Sequence, residues 1–381
     1  MRRPRGAALA IALTGVLAVV GCAKDGGGTS TSGEGGGGEG AAGCQLADPP
    51  PVPDEVEVST PETADVDGSE LRVGLAYDIG GRGDASFNDA AAAGLDRAEE
   101  EFGLGDVREL TAEANESEDA KVSRLRQLAD EGFSPIIGVG FAYADAFETV
   151  AADYPDTDFA LVDAAVEGAD NITPLLFAEH EGSFLAGVAA AYKTDNCHIG
   201  FVGGVETPLI QKFEAGFLEG ARAAAPDIQI ENTYLTPAGD ITGFQDPAKG
   251  NEATRAQLDA GADVVYHAAG ASGKGVFEAA KAGDALAIGV DSDQYNQETV
   301  AESRDVIITS MLKRVDVAVF NYLAAVAEED LADFPEVFDL SVDGVDYSTS
   351  GGMVDDIADV LDGYKAQIIE GEIEVPSSPT G

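Results

Sequence analysis

From Leu71 onward, short apolar runs alternate with stretches whose apolar residues recur every three or four positions. No other feature constrains the fold as much. A strand, a covering helix and a second strand return the chain to the same end of a sheet, so the strands run parallel. The runs predict strands at 71–77, 107–110, 136–139, 159–162 and 173–177. Five more are expected at 198–202, 228–235, 264–267, 286–290 and 306–310. About ten strands over some 300 residues divide better into two sheets than one. The fold class is therefore α/β, with doubly wound parallel sheets.

In such sheets ligands sit beyond the carboxyl ends of the strands. That rule selects residues without reference to any known protein. The first run ends on Asp78, and a glycine-rich loop leads to Phe87 and Asn88 at the start of an alanine-rich helix. Gly140, Phe141 and Tyr143 follow the third run, and Asp163 follows the fourth. Gly270 lies in the loop after 264–267, Asp291 and Asp293 follow 286–290, and Lys313 follows 306–310. Carboxylates, aromatics, an amide and a lysine collect at strand mouths. Loops are polar anyway, which accounts for the aspartates, but aromatic rings at loop positions need a reason.

The charge balance excludes one class of partner. The chain carries 70 acidic residues against 22 basic ones, a formal net charge of -48. Nucleic acid binding needs clustered Lys and Arg, so nucleic acid is not a partner. Arg2, Arg3 and Arg5 precede an apolar stretch, 7–20, that is too short to span a bilayer comfortably. It reads as a signal segment ending in Val19-Val20-Gly21-Cys22. Small residues before a cysteine resemble a bacterial lipobox, so residues 1–22 are expected to be a lipoprotein signal and Cys22 the lipidated residue. Residues 23–69 are rich in Gly, Ser, Pro and acidic residues and read as a flexible tether and extended arm. Cys44 and Cys197 either form a disulfide in an oxidising compartment or remain two free thiols; spacing does not decide.

Most motifs fail on inspection. ASGKG at 271–275 lacks the leading glycine and the trailing Ser or Thr of a phosphate loop. Gly138-Val139-Gly140 lacks the third glycine of a dinucleotide loop. Asp291-Ser292-Asp293 lacks the remaining ligands of a calcium loop, and three histidines build no zinc site. No nucleophile set, metal set or cofactor motif accompanies the polar cluster, so the chain reads as a binding protein without catalysis, metal or cofactor.

Several stretches together carry a resemblance: DIGGRGDASFNDAAAAGL, FALVDA (159–164), EHEGSFLAGVAAA (179–191), IGFVGGVETPLIQKFEAGF (199–217), DVVYHAAGASGKGVF (263–277), AIGVDSDQ (287–294) and TSMLKRVDVAV (309–319). The chain resembles the basic membrane protein family of bacterial lipoproteins, of the purine nucleoside receptor type. The resemblance implies the type I periplasmic-binding fold, two Rossmann-like lobes joined by three crossovers. It places 70–177 with 293–329 in the N-terminal lobe and 178–292 with 330–376 in the other. It implies a monomeric, lipid-anchored, extracytoplasmic receptor that delivers a nucleoside to an ABC permease and its ATPase. Asp78 and Asn88 would bond the base, with Asp163 reaching the base or the sugar. Phe87 would stack on the base, Asp291 would accept from the ribose hydroxyls and Lys313 would donate to the ribose. The family's second stacking aromatic is expected between Tyr266 and Ala269. Phe213 and Phe217, four apart on one helix face, read as core.

Overall fold

The first apolar run forms β1 (Arg72–Tyr77), whose last five residues are buried. Burial on both faces is what a central parallel strand requires. α1 (Phe87–Phe102) follows and turns Ala91, Leu95, Ala98 and Phe102 to the core. β2 (Asp106–Thr111), α2 (Glu118–Asp130), β3 (Ile136–Gly138) and α3 (Ala144–Ala151) continue the alternation. β4 (Phe159–Val162) and β5 (Ile172–Leu175) complete the first sheet. Its order is β2-β1-β3-β4-β5, all parallel.

The computed structural model describes residues 44–379, apart from 53–55, 57, 60–65, 114–115 and 333. The signal segment, Cys22 and the tether as far as residue 43 lie outside the described residues.

The second lobe repeats the plan. α4 (Glu179–Lys193) leads to β6 (His198–Val205), α5 (Pro208–Ala224) and β7 (Gln229–Thr236). Thr207 caps α5 by accepting from the Ile210 N–H, with Pro208 at the first helical position. α6 (Pro247–Ala260), β8 (Val264–Ala268), α7 (Gly273–Ala282) and β9 (Leu286–Asp291) follow. β10 (Ile307–Lys313), α8 (Val315–Ala327), β11 (Val345–Tyr347) and α9 (Ala358–Ile369) close the described chain. The second sheet has the order β11-β10-β9-β8-β6-β7, parallel except for the β10–β11 pair. In each sheet the strand order reverses beside the lobe's first strand, at β1/β3 and at β6/β8. A doubly wound sheet opens its crevice at such a reversal.

Three crossovers join the lobes. The first and third run side by side: the Phe338 N–H donates to the Leu176 carbonyl and the Ala178 N–H to the Phe338 carbonyl. The second passes through Arg314, between β10 and α8.

Two expectations are corrected. Residues 293–329 do not go to the first lobe as a block. β10 pairs with β9 in the second sheet, and only α8 returns to the first lobe, where Phe320 packs on Phe102 with ring centroids 4.7 Å apart. An apolar run after a loop carries no mark of which sheet it will join. Nor is the end of the tether free. Cys44 and Cys197 form a disulfide, the Ala47 N–H donates to the Ala224 carbonyl, and Val66 is buried. The short edge strand β11 was not anticipated, because three residues of partly exposed sequence give no periodic signal.

Candidate ligand-binding cleft

The β1/β3 reversal supplies the first wall. Asp78 follows β1, and its Oδ1 accepts from the Ile79 N–H at 2.7 Å. Its Oδ2 faces Gly140, where a Cβ would stand 2.9 Å away on a backbone with φ of +109°, so that position is closed to side chains. Burial pushes the Asp78 carboxyl up to about 6. Asn88, buried in the first turn of α1, accepts from the Asp78 N–H and donates to Asp84 and the Ile79 carbonyl. Its amide therefore holds the strand-mouth loop in shape.

β4 and β9 end alike. Asp163 and Asp291 both have left-handed backbones, with φ of +71° and +63°. Such strain in two non-glycine residues at strand ends is a mark of a functional position. Ser86 donates to Asp291 Oδ2 at 2.6 Å, and burial pushes the Asp291 carboxyl up to about 6 against the pull of Lys313.

Lys313 lies at the floor, almost fully buried. It pairs with Asp163 at 2.5 Å and with Glu179 at 3.1 Å. Lys212 takes the other Glu179 oxygen at 2.9 Å. Burial alone would pull the Lys313 ammonium down, but Asp163, Glu179 and Asp291 outweigh it and hold it up. Burial pushes Asp163 up while Lys313 opposes it. An ammonium has three N–H bonds. Two directions are spent within the protein here, leaving one for the cleft.

Of the eleven strand-mouth residues picked out in the sequence, nine line one cavity between the lobes, Asp78, Phe87, Asn88, Gly140, Asp163, Gly270, Asp291 and Lys313 among them. Tyr143 instead bonds the Tyr77 carbonyl, and Asp293 accepts from Asn296 and Ser350 outside the cavity. The cavity encloses about 670 Å³ counting its open mouth. Phe141, at a strand mouth, lines it too. Phe213 packs in the core, as expected, and also lines the cavity, whereas Phe217 is core alone. Tyr266 is fully buried and bonds Ser183, so it is not available to a ligand. Phe244, on a 3-10 turn (Ile241–Phe244) between β7 and α6, lines the cavity from the second lobe as well. Gly204 makes room for it, since a Cβ there would stand 2.5 Å from the Phe244 ring. Gly270, with φ of +53°, lies against its backbone. A phenylalanine in a loop between elements carries no periodic signal, and the glycine that accommodates it lies in a distant strand, β6.

A family description, ABC transporter substrate-binding protein PnrA-like, matches residues 72–379. The chain belongs to this family. It is 32% identical over 332 residues to the ABC transporter nucleoside-binding protein BmpA of Lactococcus lactis subsp. cremoris, covering 81% of this chain and 90% of that one. It is 33% identical over 306 residues to an uncharacterized lipoprotein of Pyrococcus furiosus, covering 75% of this chain and 72% of that one. Among solved structures, an ABC transporter solute-binding protein of Aeropyrum pernix K1 superposes with a TM-score of 0.67 at 30% identity. That match covers 80% of this chain and 94% of the other. The members are extracytoplasmic substrate-binding proteins that pass a small molecule to a permease and its ATPase. Among the described residues no helix is long and apolar enough to cross a membrane.

Proposed function

We propose that the cleft captures a nucleoside, preferably a purine one, and that the protein works as a monomer tethered to the membrane through a lipid on Cys22. One observation carries the nucleoside reading: Phe87 from the first lobe and Phe244 from the second line the same cavity as four carboxylates and a lysine. A flat base fits between rings, and a sugar diol fits a carboxylate. Asp291 is the ribose acceptor in this reading, Asp78 takes the polar edge of the base, and the remaining Lys313 N–H points to the sugar. The nucleoside-binding relative and the lipoprotein relative support the two halves of the reading. Mass spectrometry of the small molecule released on denaturing freshly purified protein tests it. A nucleoside is expected; a free sugar or an amino acid in its place would overturn the reading.

Three measurements follow. Asp291→Ala should weaken inosine binding by about 2 kcal/mol, roughly thirtyfold, in titration calorimetry. Phe244→Ala should cost about 1–3 kcal/mol through lost stacking; an unchanged affinity would remove Phe244 from the site. The pH dependence has a definite sign. Ionised, Asp78 and Asp291 each offer two acceptor oxygens, whereas protonation turns one of them into a donor; burial pushes both carboxyls up to about 6. Affinity should be level above that value and fall below it, by up to about tenfold per pH unit for each carboxylate. Asp291→Asn should flatten that slope.

A further inference from the structure

Three hydrogen bonds join the loop after β1 to the segment after β9. Ser86 and Ala85 belong to the loop after β1; Asp291, Ser292 and Gln294 belong to the segment after β9. Ser292 Oγ donates to the Ser86 carbonyl at 2.7 Å, and Ser86 Oγ donates to Asp291 at 2.6 Å. Gln294 Nε2 donates to the Ala85 carbonyl at 3.1 Å. All three bonds cross from one lobe to the other.

The Gln294 contact is built from both sides. Its Oε1 accepts from the Val290 N–H at 2.9 Å. A backbone N–H can only donate, so this atom is the oxygen and the amide nitrogen must face Ala85. His267 Nε2 lies 3.0 Å from the same oxygen and must therefore be its N–H tautomer. Both side chains are buried, and the imidazole packs directly on Gly273, where a Cβ would stand 2.0 Å from the ring. The Gln294 N–H is itself fixed by Ser310 Oγ at 3.1 Å. On the other lobe, Ala85 has φ of +57°, an unfavourable left-handed backbone for alanine. Asp89 accepts its N–H at 3.0 Å and Asp84 accepts that of Ser86 at 2.9 Å. The donor and the acceptor are thus each held in place before the lobes meet.

We infer that Gln294, aligned by His267, is a positioning residue that latches the cleft shut by gripping the Ala85 carbonyl of the opposite lobe, with Ser292 on Ser86 as its second catch. The latch forms only on closure, so it acts on how long a captured molecule stays rather than on how fast it enters. It goes beyond the nucleoside reading, because the same bonds would close over any ligand the cavity holds.

Gln294→Glu isolates the latch. The carboxylate keeps an oxygen for Val290 and His267 but sets a second acceptor against the Ala85 carbonyl. Ser292→Ala removes the second catch at a partly exposed position, where folding is not at stake. Fluorophores attached through unnatural amino acids at exposed positions 100 and 252, one on each lobe, report the interlobe distance in the ligand-free protein. Both variants are expected to lose a severalfold share of the closed population. Inosine dissociation should speed up about tenfold in Gln294→Glu, with little change in association. A closed population equal to wild type in both variants would overturn the latch. If inosine fails to bind at all, the nucleoside reading fails, and the interlobe distances still decide the latch.

Discussion

Lys313→Met is expected to lower stability by about 3–5 kcal/mol, the cost of breaking a buried ion pair by removing one partner. The methionine fills nearly the same space, so the loss is electrostatic. Glu179 keeps Lys212, but Asp163 is left buried without a cation. The position amplifies the effect. Lys313 ends β10 at the second crossover, Glu179 opens α4 just past the first, and Asp163 belongs to the first lobe. Lys212 also donates to the Phe177 carbonyl within the first crossover. One ammonium therefore ties two of the three crossovers to the cleft floor. Urea unfolding measures the loss, and the double variant Lys313→Met/Asp163→Asn should recover much of it. The sign with pH is fixed as well. Burial already raises Asp163 above its unfolded value, and losing Lys313 raises it further. A raised carboxyl contributes stability at low pH and loses it as pH rises through the folded value. The deficit of Lys313→Met should shrink as pH falls through the raised Asp163 value. A deficit independent of pH would mean that Asp163 is not the group left unpaired.

Much of this site was legible in the sequence, for a physical reason. Parallel sheets place their crevices at the carboxyl ends of strands, so Asp78, Asp163, Asp291 and Lys313 could be picked out as residues following apolar runs. What escaped was whatever depends on pairing between distant segments. Nothing in 306–310 says that β10 joins the second sheet. Nothing in GFQDP marks Phe244 as a cavity wall, since its placement rests on Gly204, forty residues away in sequence. Phe213 has the helical spacing of a core residue and is one, yet it also forms part of the cleft wall. Periodicity reports burial and is silent on whether the buried face meets protein or ligand. Lys313 shows the same limit. Its place beyond a strand suggested a ligand donor, but only the fold reveals the two carboxylates that already take most of its bonding capacity.

Removing the disulfide is the second large expected effect. Cys44 and Cys197 are separated by 153 residues, a span that contains the whole first sheet. Closing so long a loop restricts the unfolded chain strongly, and losing a native disulfide of this kind costs about 2–5 kcal/mol. The bond also fixes where the leading segment attaches. Beyond Cys44, Gln45 donates to Asp227 and Ala47 to the Ala224 carbonyl, both on the second lobe. Farther along, the Ser59 N–H reaches the Ser341 carbonyl beside the third crossover, and the Gly68 N–H reaches Phe102 on the first lobe. The arm before β1 thus touches both lobes and the hinge region between them, and the disulfide pins its start. Cys44→Ser/Cys197→Ser should lower the unfolding free energy measured in urea by the amount above. The same variant should expose the 44–52 backbone to hydrogen exchange while leaving β6, which is buried along its whole length, protected. If the 44–52 amides stay as protected as in the oxidised protein, packing rather than the disulfide holds the arm. The stability loss would then belong to the unfolded chain alone.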